Sequence, residues 1–182
     1  MTERAVRADA QRNRQLLLEV ALRVFSENGD APLDAIAKAA GVGSGTLYRH
    51  FPTREALIEA VYQNELTSLC ASAEEMLAAQ EPRAALREWM HNFLDYATTK
   101  RGLADALRAV IATGANPFEN SRARILAALG SLLTAASTAG VVRADVDPFD
   151  VLTSLSGFAL ASSDPVQHER LLDLLLAGLV PA

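Results

Sequence analysis

Apolar residues recur along the chain with the spacing of buried helix faces. Near the N-terminus, Leu17, Val20, Ala21, Val24 and Phe25 follow the i, i+3, i+4, i+7, i+8 pattern of an amphipathic helix. Later segments repeat this pattern between short breaks that carry glycine or proline. No segment shows the convincing two-residue alternation of a strand. The pattern therefore predicts an all-α fold of about nine helices with short connections.

Residues that favour helix ends mark the boundaries between these segments. Gly41 and Gly140 each follow an apolar stretch, where a glycine readily ends a helix. Thr53 is a good N-cap, and Asp147 and Asp164 each precede a proline, as at the first turn of a helix. These signals predict helices over residues 33–40, 44–51, 103–112, 122–139, 149–162 and 166–178, with longer helices that begin at residues 53 and 82.

Residues 33–51 form the most specific motif in the chain. They predict two short helices separated by a tight turn, in which Gly41 adopts the left-handed conformation that ends a helix. The polar residues of the second helix fall on the side away from Leu47 and Phe51. Such a helix fits the major groove of DNA, with its N-terminal residues at the base edges. The motif therefore predicts a helix-turn-helix.

The composition narrows the possible classes of protein. Half of the 182 residues are apolar and 21% are charged, so the chain can bury a core. Cys70 is the one cysteine, which excludes an internal disulfide and a multi-cysteine zinc site, and we expect no metal and no cofactor. The N-terminus lacks the apolar stretch of a secretory signal, and no apolar run reaches the roughly 18 residues that cross a bilayer. We therefore expect a cytoplasmic protein without a membrane partner.

Charge is distributed unevenly along the chain. Residues 1–57 carry a net charge of +1 and residues 58–182 a net charge of −6, which together give the formal net charge of −5. The first fifteen residues hold two carboxylates and four arginines, Arg4, Arg7, Arg12 and Arg14. A basic arm of this kind suits contact with DNA phosphates, although a solvated tail explains the charge equally well.

The motif resembles the N-terminal domain of TetR-family regulators. The family signature runs I-A-x-x-A-G-V-x-x-G-T-L-Y-x-H-F, which the chain matches at Ile36-Ala37, Ala40-Gly41-Val42, Gly45-Thr46-Leu47-Tyr48 and His50-Phe51. Residues 52–57 resemble the family's linker into its fourth helix, and residues 45–55 resemble the SbtR-like branch. The later helices agree with the family in number and length. The resemblance implies a helix-turn-helix domain with a basic arm over residues 1–52, followed by an effector-binding and dimerisation domain over residues 53–182.

The resemblance also implies DNA-binding roles for the matching positions. Tyr48 is expected to donate its hydroxyl to a phosphate, and Thr46 to contact bases or the backbone beside them. Gly45 is expected to let the helix backbone approach the duplex. Arginines and a histidine around the second helix are expected to reach phosphates, which set the register of the protein on DNA. The candidate DNA-binding residues are Arg12, Arg14, Leu33, Gly43, Ser44, Gly45, Thr46, Tyr48, Arg49, His50 and Arg54.

Two departures from the family pattern affect this interpretation. Family members often carry a hydroxyl or a lysine at the first two recognition positions, which are Gly43 and Ser44 here, and residues 31–32 lack the usual capping hydroxyl. Direct base contacts are therefore expected to be sparse, which gives weight to readout of DNA shape. A core aromatic remains the alternative for Tyr48, and a helix-packing role the alternative for His50.

The larger domain is expected to hold a small-molecule effector. Its central helices mix apolar and aromatic side chains with occasional polar groups, as ligand pockets do. Ordinary core packing explains the same residues and remains the alternative. The candidate effector-binding residues are Cys70, Trp89, Phe93, Tyr96, Leu107, Ile111 and Phe118.

The last two predicted helices are apolar nearly all round. A helix of this kind needs cover on more than one side, which a second copy of the chain supplies by forming a four-helix bundle. A twofold homodimer also matches a palindromic operator. The candidate interface residues are Leu152, Leu155, Phe158, Ala159, Leu172, Leu175, Leu176 and Leu179.

These features predict a DNA-binding transcriptional regulator. The expected form is a repressor that binds double-stranded operator DNA as a homodimer and leaves it when an unknown small molecule binds. An enzyme is disfavoured because the chain lacks a nucleophile elbow, a phosphate-binding loop and paired-carboxylate spacing. A helical interaction module, or an activator without ligand-controlled repression, stays an alternative because the recognition positions are small.

Overall fold

The computed structural model describes residues 3–181 and, from residue 9 onwards, their side chains. Within those residues the chain forms nine α-helices and no strand, which confirms the predicted all-α fold. The helices are α1 (Glu3–Glu27), α2 (Leu33–Ala39), α3 (Ser44–His50), α4 (Arg54–Ala79), α5 (Pro82–Gly102), α6 (Ala104–Ala112), α7 (Ser121–Thr138), α8 (Pro148–Ala161) and α9 (Pro165–Gly178).

Glycines end α2 and α7 as predicted. Gly41 and Gly140 have φ angles of +67° and +71°, a left-handed conformation that residues with a Cβ adopt at a cost. After α2, the N–H of Gly41 donates to the carbonyl of Lys38 at 3.1 Å, and the N–H of Val42 to that of Ala37 at 3.0 Å. These paired bonds satisfy the last carbonyls of α2 and make a tight turn towards α3.

The predicted N-caps are also confirmed. The hydroxyl of Thr53 accepts a hydrogen bond from the N–H of Ala56 at 3.1 Å, at the start of α4. Asp147 and Asp164 accept from the N–H groups two residues later, at 2.8 and 3.0 Å. Helices α8 and α9 therefore begin at their prolines, one residue before the predicted starts.

The described structure divides into two compact units. Unit 1 comprises the residues up to Asn64 together with Lys100–Pro117, and unit 2 comprises Glu65–Thr99 together with the residues from Phe118 onwards. In unit 1, α1, α2 and α3 contact one another. The fully buried side chains of unit 1 include Leu17, Phe25, Ile36, Leu47 and Ile58.

The core of unit 2 is built around α5, α7, α8 and α9. Helix α8 contacts both α7 and α9. The indole N–H of the fully buried Trp89 donates to the carbonyl of Leu69 at 2.8 Å, so the ring is buried without an unsatisfied polar group. The other fully buried side chains of unit 2 include Leu86, Met90, Leu129, Leu132, Leu155 and Leu172.

Candidate nucleic-acid interface

A small apolar core holds α2 against α3. Ile36 and Leu47 are completely buried, and Phe51, the residue that ends α3, is 2% exposed. Ala37 is also buried, which allows a close approach of the two short helices. Because these side chains fix one face of α3, its opposite face projects outward.

The outward face of α3 carries the central part of the predicted DNA-binding set. Gly43, Ser44, Gly45, Tyr48 and Arg49 are exposed, and Thr46 is half-buried. Tyr48 is 46% exposed, which excludes the core alternative for its ring, whereas the neighbouring Phe51 belongs to the core. The polar side of α3 is therefore accessible to a binding partner from outside the protein.

The first turn of α3 carries only small side chains or none. Gly43 is its N-cap, with φ −69° and ψ 145°, and no side chain caps the helix. A Cβ placed at Gly43 or Gly45 meets no other atom within 4 Å, and neither glycine has a positive φ. The fold itself therefore does not require glycine at either position.

Two predicted residues lie away from this face. Leu33, the first residue of α2, is 9% exposed and belongs to the core, so the prediction that it contacts DNA is corrected. His50 is half-buried, with its ring centroid 6.1 Å from that of Phe51. Its Nε2 is enclosed without a hydrogen-bond partner among the described residues. This environment favours the packing alternative for His50.

Arg54 makes internal contacts that its sequence position did not reveal. Its guanidinium carbon lies 4.8 Å from the ring centroid of Phe25. Two of its nitrogens donate to the backbone carbonyls of Gly29 and Ala31, which lie in the turn between α1 and α2. The side chain thus connects the first residue of α4 to that turn.

The arginines of the N-terminal arm are only partly described. The guanidinium carbon of Arg14 lies 5.4 Å from the ring centroid of Phe51, close to the end of α3. Arg12 pairs with an exposed carboxylate three residues earlier, a surface contact that contributes little to stability. The side chains of Arg4 and Arg7 lie outside the described residues. The arm therefore stays a predicted phosphate contact.

Two family descriptions together match most of the chain. The description of bacterial regulatory proteins of the tetR family matches residues 17–61. The description of the C-terminal domain of SbtR-like transcriptional regulators matches residues 81–181, more than half of the chain. The chain belongs to the TetR family of transcriptional regulators.

Individual TetR-family proteins are similar over nearly the whole chain. A TetR transcriptional regulator from Streptomyces coelicolor is 54% identical, with a TM-score of 0.89, and the match covers 93% of this chain and 99% of that one. A TetR regulatory protein from Mycobacterium vanbaalenii is 39% identical, with a TM-score of 0.81 and coverage of 97% and 99%.

Curated relatives match only the N-terminal part. An HTH-type transcriptional regulator from Staphylococcus aureus is 43% identical over 63 residues, which is 34% of this chain and 34% of that protein. The chain thus aligns with about a third of the length of the curated relatives that it matches. These comparisons identify a DNA-binding transcriptional regulator of the TetR family, a family of regulators and not of enzymes.

The predicted effector residues of this TetR-family chain are not gathered in one unit. Leu107 and Ile111 belong to unit 1, and the other five belong to unit 2. Trp89 and Phe93 are buried, their ring centroids 6.1 Å apart, and they pack as core. Phe118, like Cys70, is half-buried. The core alternative is thus the better description of Trp89 and Phe93.

An open cleft of about 360 Å³ in unit 2 includes one predicted effector residue, Tyr96. It lies between α4 and α5, and most of the residues that line it are polar or charged. The other residues that line it are Glu65, Ser68, Leu69, Ser72, Glu75, Asn92, Asp95 and Thr99. This lining differs from the apolar pocket that the sequence predicted.

Six of the eight predicted dimer residues are buried within a single chain. Leu155 and Leu172 are completely buried, so they form the core between helices of unit 2 and cannot contact a second copy in this conformation. Leu152, Ala159, Leu176 and Leu179 are also buried, while Phe158 and Leu175 are half-buried. A dimer through α8 and α9 would use other faces of these helices.

A cluster of Arg87 with two carboxylates between α5 and α9, with the His91 ring beside it, was not predicted. Arg87 Nη2 lies 2.6 Å from Glu169 Oε2 and 2.9 Å from Asp173 Oδ1, and His91 Nδ1 lies 2.8 Å from Glu169 Oε1. The hydrogen bonds that Arg87 donates to Asp173 and then to Glu169 raise the pKa of its guanidinium. The i, i+4 spacing of the basic pair on α5 and of the acidic pair on α9 was the available signal.

Neither a metal centre nor a membrane span is found in the part of the chain that the structure describes. Those residues contain no group of three or more His, Cys, Asp or Glu side chains placed to hold a metal ion. None of the described helices combines the length and the apolarity needed to cross a bilayer.

Proposed function

We propose that the protein is a cytoplasmic repressor that binds a palindromic operator as a homodimer and leaves it when a small molecule binds. The outward face of α3 carries this proposal. Tyr48 and Arg49 are exposed there, beside a first turn without large side chains, on a helix that Leu47 and Phe51 hold from behind. Such a face suits the major groove, with side chains at the phosphates on either side.

The tyrosine provides the direct test of this face. We expect Tyr48→Phe to lower the affinity for a duplex from the region upstream of the gene about tenfold, the value of one hydrogen bond to a charged group. The melting temperature should not change, because the hydroxyl lies outside the core. Ser131→Ala is the control: it removes a hydroxyl from an exposed residue of α7 that donates to the carbonyl of Ala128 in its own helix. Equal affinities in an anisotropy titration would contradict the phosphate role.

The glycine in the first turn of α3 supports a close external contact. Glycine in a helix costs about 1 kcal/mol relative to alanine, and Gly45 has neither the positive φ nor the crowded surroundings that would require it. An approaching DNA backbone supplies the missing reason. We expect Gly45→Ala to raise the free energy of unfolding and to weaken operator binding. A variant that gains stability and keeps full affinity would remove this argument.

The proposed dimer uses the outward faces of α8 and α9. Leu160, Leu174 and Val166 are 81%, 70% and 63% exposed, and exposed apolar side chains on neighbouring helices mark interaction sites. We expect Leu160→Asp to convert the dimer to a monomer in light scattering at micromolar concentration. Ile111→Asp, which changes an exposed apolar residue of unit 1, should stay dimeric. A monomeric wild-type protein would rule out the interface.

A helical interaction module is the competing function, because Gly43 and Ser44 offer little for direct base contacts. Salt dependence separates the two. For a protein that neutralises several DNA phosphates, the logarithm of the binding constant falls with the logarithm of the salt concentration. The slope is about −0.9 for each phosphate contact. No binding to any duplex at low salt would favour the interaction module.

The proposed effector should bind the folded protein and weaken its hold on DNA. Footprinting of the DNA that flanks the gene, with and without candidate metabolites, tests this coupling. A true effector raises the melting temperature and reduces the footprint at the same concentration, because the two affinities are linked. A compound that changes only one of them is not the effector.

A further inference from the structure

We infer that Arg54 is a positioning residue, which holds the turn between α1 and α2 against the start of α4 and thereby fixes the helix-turn-helix for DNA. This inference rests on the operator binding proposed above. It replaces the predicted phosphate contact of Arg54 with an internal role. The consequence is that Arg54 contributes to DNA affinity through the turn, without touching the duplex.

The geometry of the side chain carries the inference. Arg54 is half-buried, and its guanidinium lies over the face of the buried Phe25 ring on α1. From there Nη1 donates to the carbonyl of Ala31 and Nη2 to that of Gly29. One planar group thus stacks on a core ring and bonds two carbonyls two residues apart. The five donors of arginine, in a rigid fork, suit this arrangement, which a lysine ammonium cannot reproduce.

The other hydrogen bonds of the turn, among the residues that the structure describes, are local, so Arg54 supplies its long-range bonds. The N–H of Asn28 donates to the carbonyl of Val24, and the N–H of Ala31 to that of Asn28, at 2.8 and 3.1 Å. The N–H of Asp30 donates to the side chain of Asn28 at 3.1 Å. Arg54 bonds to the same segment across 23 and 25 residues of sequence.

Helix α2 begins immediately after this turn and lacks a side-chain cap. Its N-cap is Pro32, which makes no side-chain hydrogen bond. The start of α2 is therefore placed by the core residue Leu33 and by the turn that Arg54 holds. If the turn is released, binding must order it again, and this ordering lowers the affinity.

Two substitutions separate a positioning role from a phosphate contact. Arg54→Lys keeps the charge but loses the stacked, two-carbonyl contact, and Arg54→Met keeps an apolar stem without charge. Arg49→Met removes a residue proposed to contact phosphate, so it shows how the salt dependence of binding changes when one phosphate contact is lost. The probe is a DNA duplex that the wild-type protein selects from a randomised pool. Binding of each variant to this duplex is titrated at several salt concentrations, at a temperature well below the melting temperature of every variant.

We expect both Arg54 variants to bind about tenfold more weakly, the value of one charge-assisted hydrogen bond, with the salt slope of the wild type. Arg49→Met should instead reduce the slope by about one. Hydrogen exchange of the free protein should rise in the amides of residues 29–36 for Arg54→Lys and stay unchanged for Arg49→Met. The exchange measurement needs no DNA, so a loss of affinity can be traced to the turn.

The outcomes distinguish the inference from the proposed function. Wild-type affinity in Arg54→Lys, a slope reduced by about one in Arg54→Met, or unchanged exchange in the turn would each overturn the positioning role, even with operator binding intact. A wild-type protein that selects no duplex would overturn the proposed function and the inference together. If Arg54→Met fails to fold, Arg54→Lys still decides between the two roles.

Discussion

Gly41 and Gly43 lie two residues apart but differ in backbone conformation, so only one of them requires glycine. Gly41 has a left-handed φ of +67°, whereas Gly43 has an extended backbone and open space where a Cβ would lie. We expect Gly41→Ser to lower the free energy of unfolding by about 1 kcal/mol because of the backbone cost. Gly43→Ser should raise it by a few tenths of a kcal/mol, because serine is the better N-cap. Urea unfolding of both variants checks the contrast, and equal effects would contradict it.

The single thiol gives a second test at the scale of a residue. Burial raises the pKa of Cys70 above its ordinary value, and the nearby Arg124 lowers it by a smaller amount. The reactive thiolate is therefore scarcer at neutral pH than in an exposed cysteine. We expect the rate of alkylation by iodoacetamide to reach its midpoint at a higher pH than in a short cysteine peptide. Arg124→Gln should move the midpoint higher still, and a midpoint below that of the peptide would be inconsistent with burial.

The environment of a residue could be predicted where its own helix decides it. Tyr48 is exposed on α3, whereas Phe51, the C-cap that follows the helix, is buried, as the polar and apolar positions of the motif indicated. The motif did not reveal the burial of Leu33 or the internal contacts of Arg54, because both depend on other parts of the fold. The two carbonyls that Arg54 binds lie 23 and 25 residues before it in the chain, and no local pattern points to them.

Capping aspartates allow a prediction for whole helices. Asp147 and Asp164 each accept one hydrogen bond from an otherwise unpaired N–H at the start of α8 and α9. We expect Asp147→Ala and Asp164→Ala each to lower the free energy of unfolding by about 1 kcal/mol, and the asparagine variants to cost much less. Asp145→Ala is the control: it breaks only an exposed pair with Arg143, which contributes under about 1 kcal/mol. Chemical denaturation measures all five variants, and a control as damaging as the cap variants would refute the assignment.

Element boundaries could be predicted because their signals are local, but the faces of two helices could not. Glycines after α2 and α7 and aspartates before α8 and α9 placed the helix ends within about two residues, as the caps and turns require. Helices α8 and α9 are apolar nearly all round, so periodicity does not say which side faces inward. Six of the eight predicted dimer residues were consequently core residues, Leu155 and Leu172 among them, while Leu160 and Leu174 face outward.

At the scale of the whole molecule, stability should depend on protein concentration. A homodimer gains stability by mass action as its concentration rises. We expect a tenfold increase in concentration to raise the melting temperature by about 2–4 °C for a chain of this size. The Leu160→Asp variant should show no such dependence, and Ile111→Asp should behave as the wild type. A wild-type melting temperature that is independent of concentration would contradict the dimer.

The organisation of the whole chain was the hardest level to predict. Helices α4 and α5 each contribute residues to both compact units, because the chain leaves unit 1 after Asn64 and returns to it at Lys100. Helical periodicity continues through these positions, so no local signal marks them. The functional boundary between residues 52 and 53 stays a prediction, while the helix-turn-helix itself was predictable from a contiguous motif.

The empty space at Gly43 has a consequence for how this regulator can change. A side chain added there meets no atom of the chain, and the backbone is already extended. If α3 contacts DNA as proposed, new specificity at this position can arise by adding a side chain, without loss of a contact within the protein. A duplicated copy of the gene is free to explore new target sites here at little cost in stability. For an engineer, position 43 is the natural place to randomise when a regulator is to be directed to a chosen promoter.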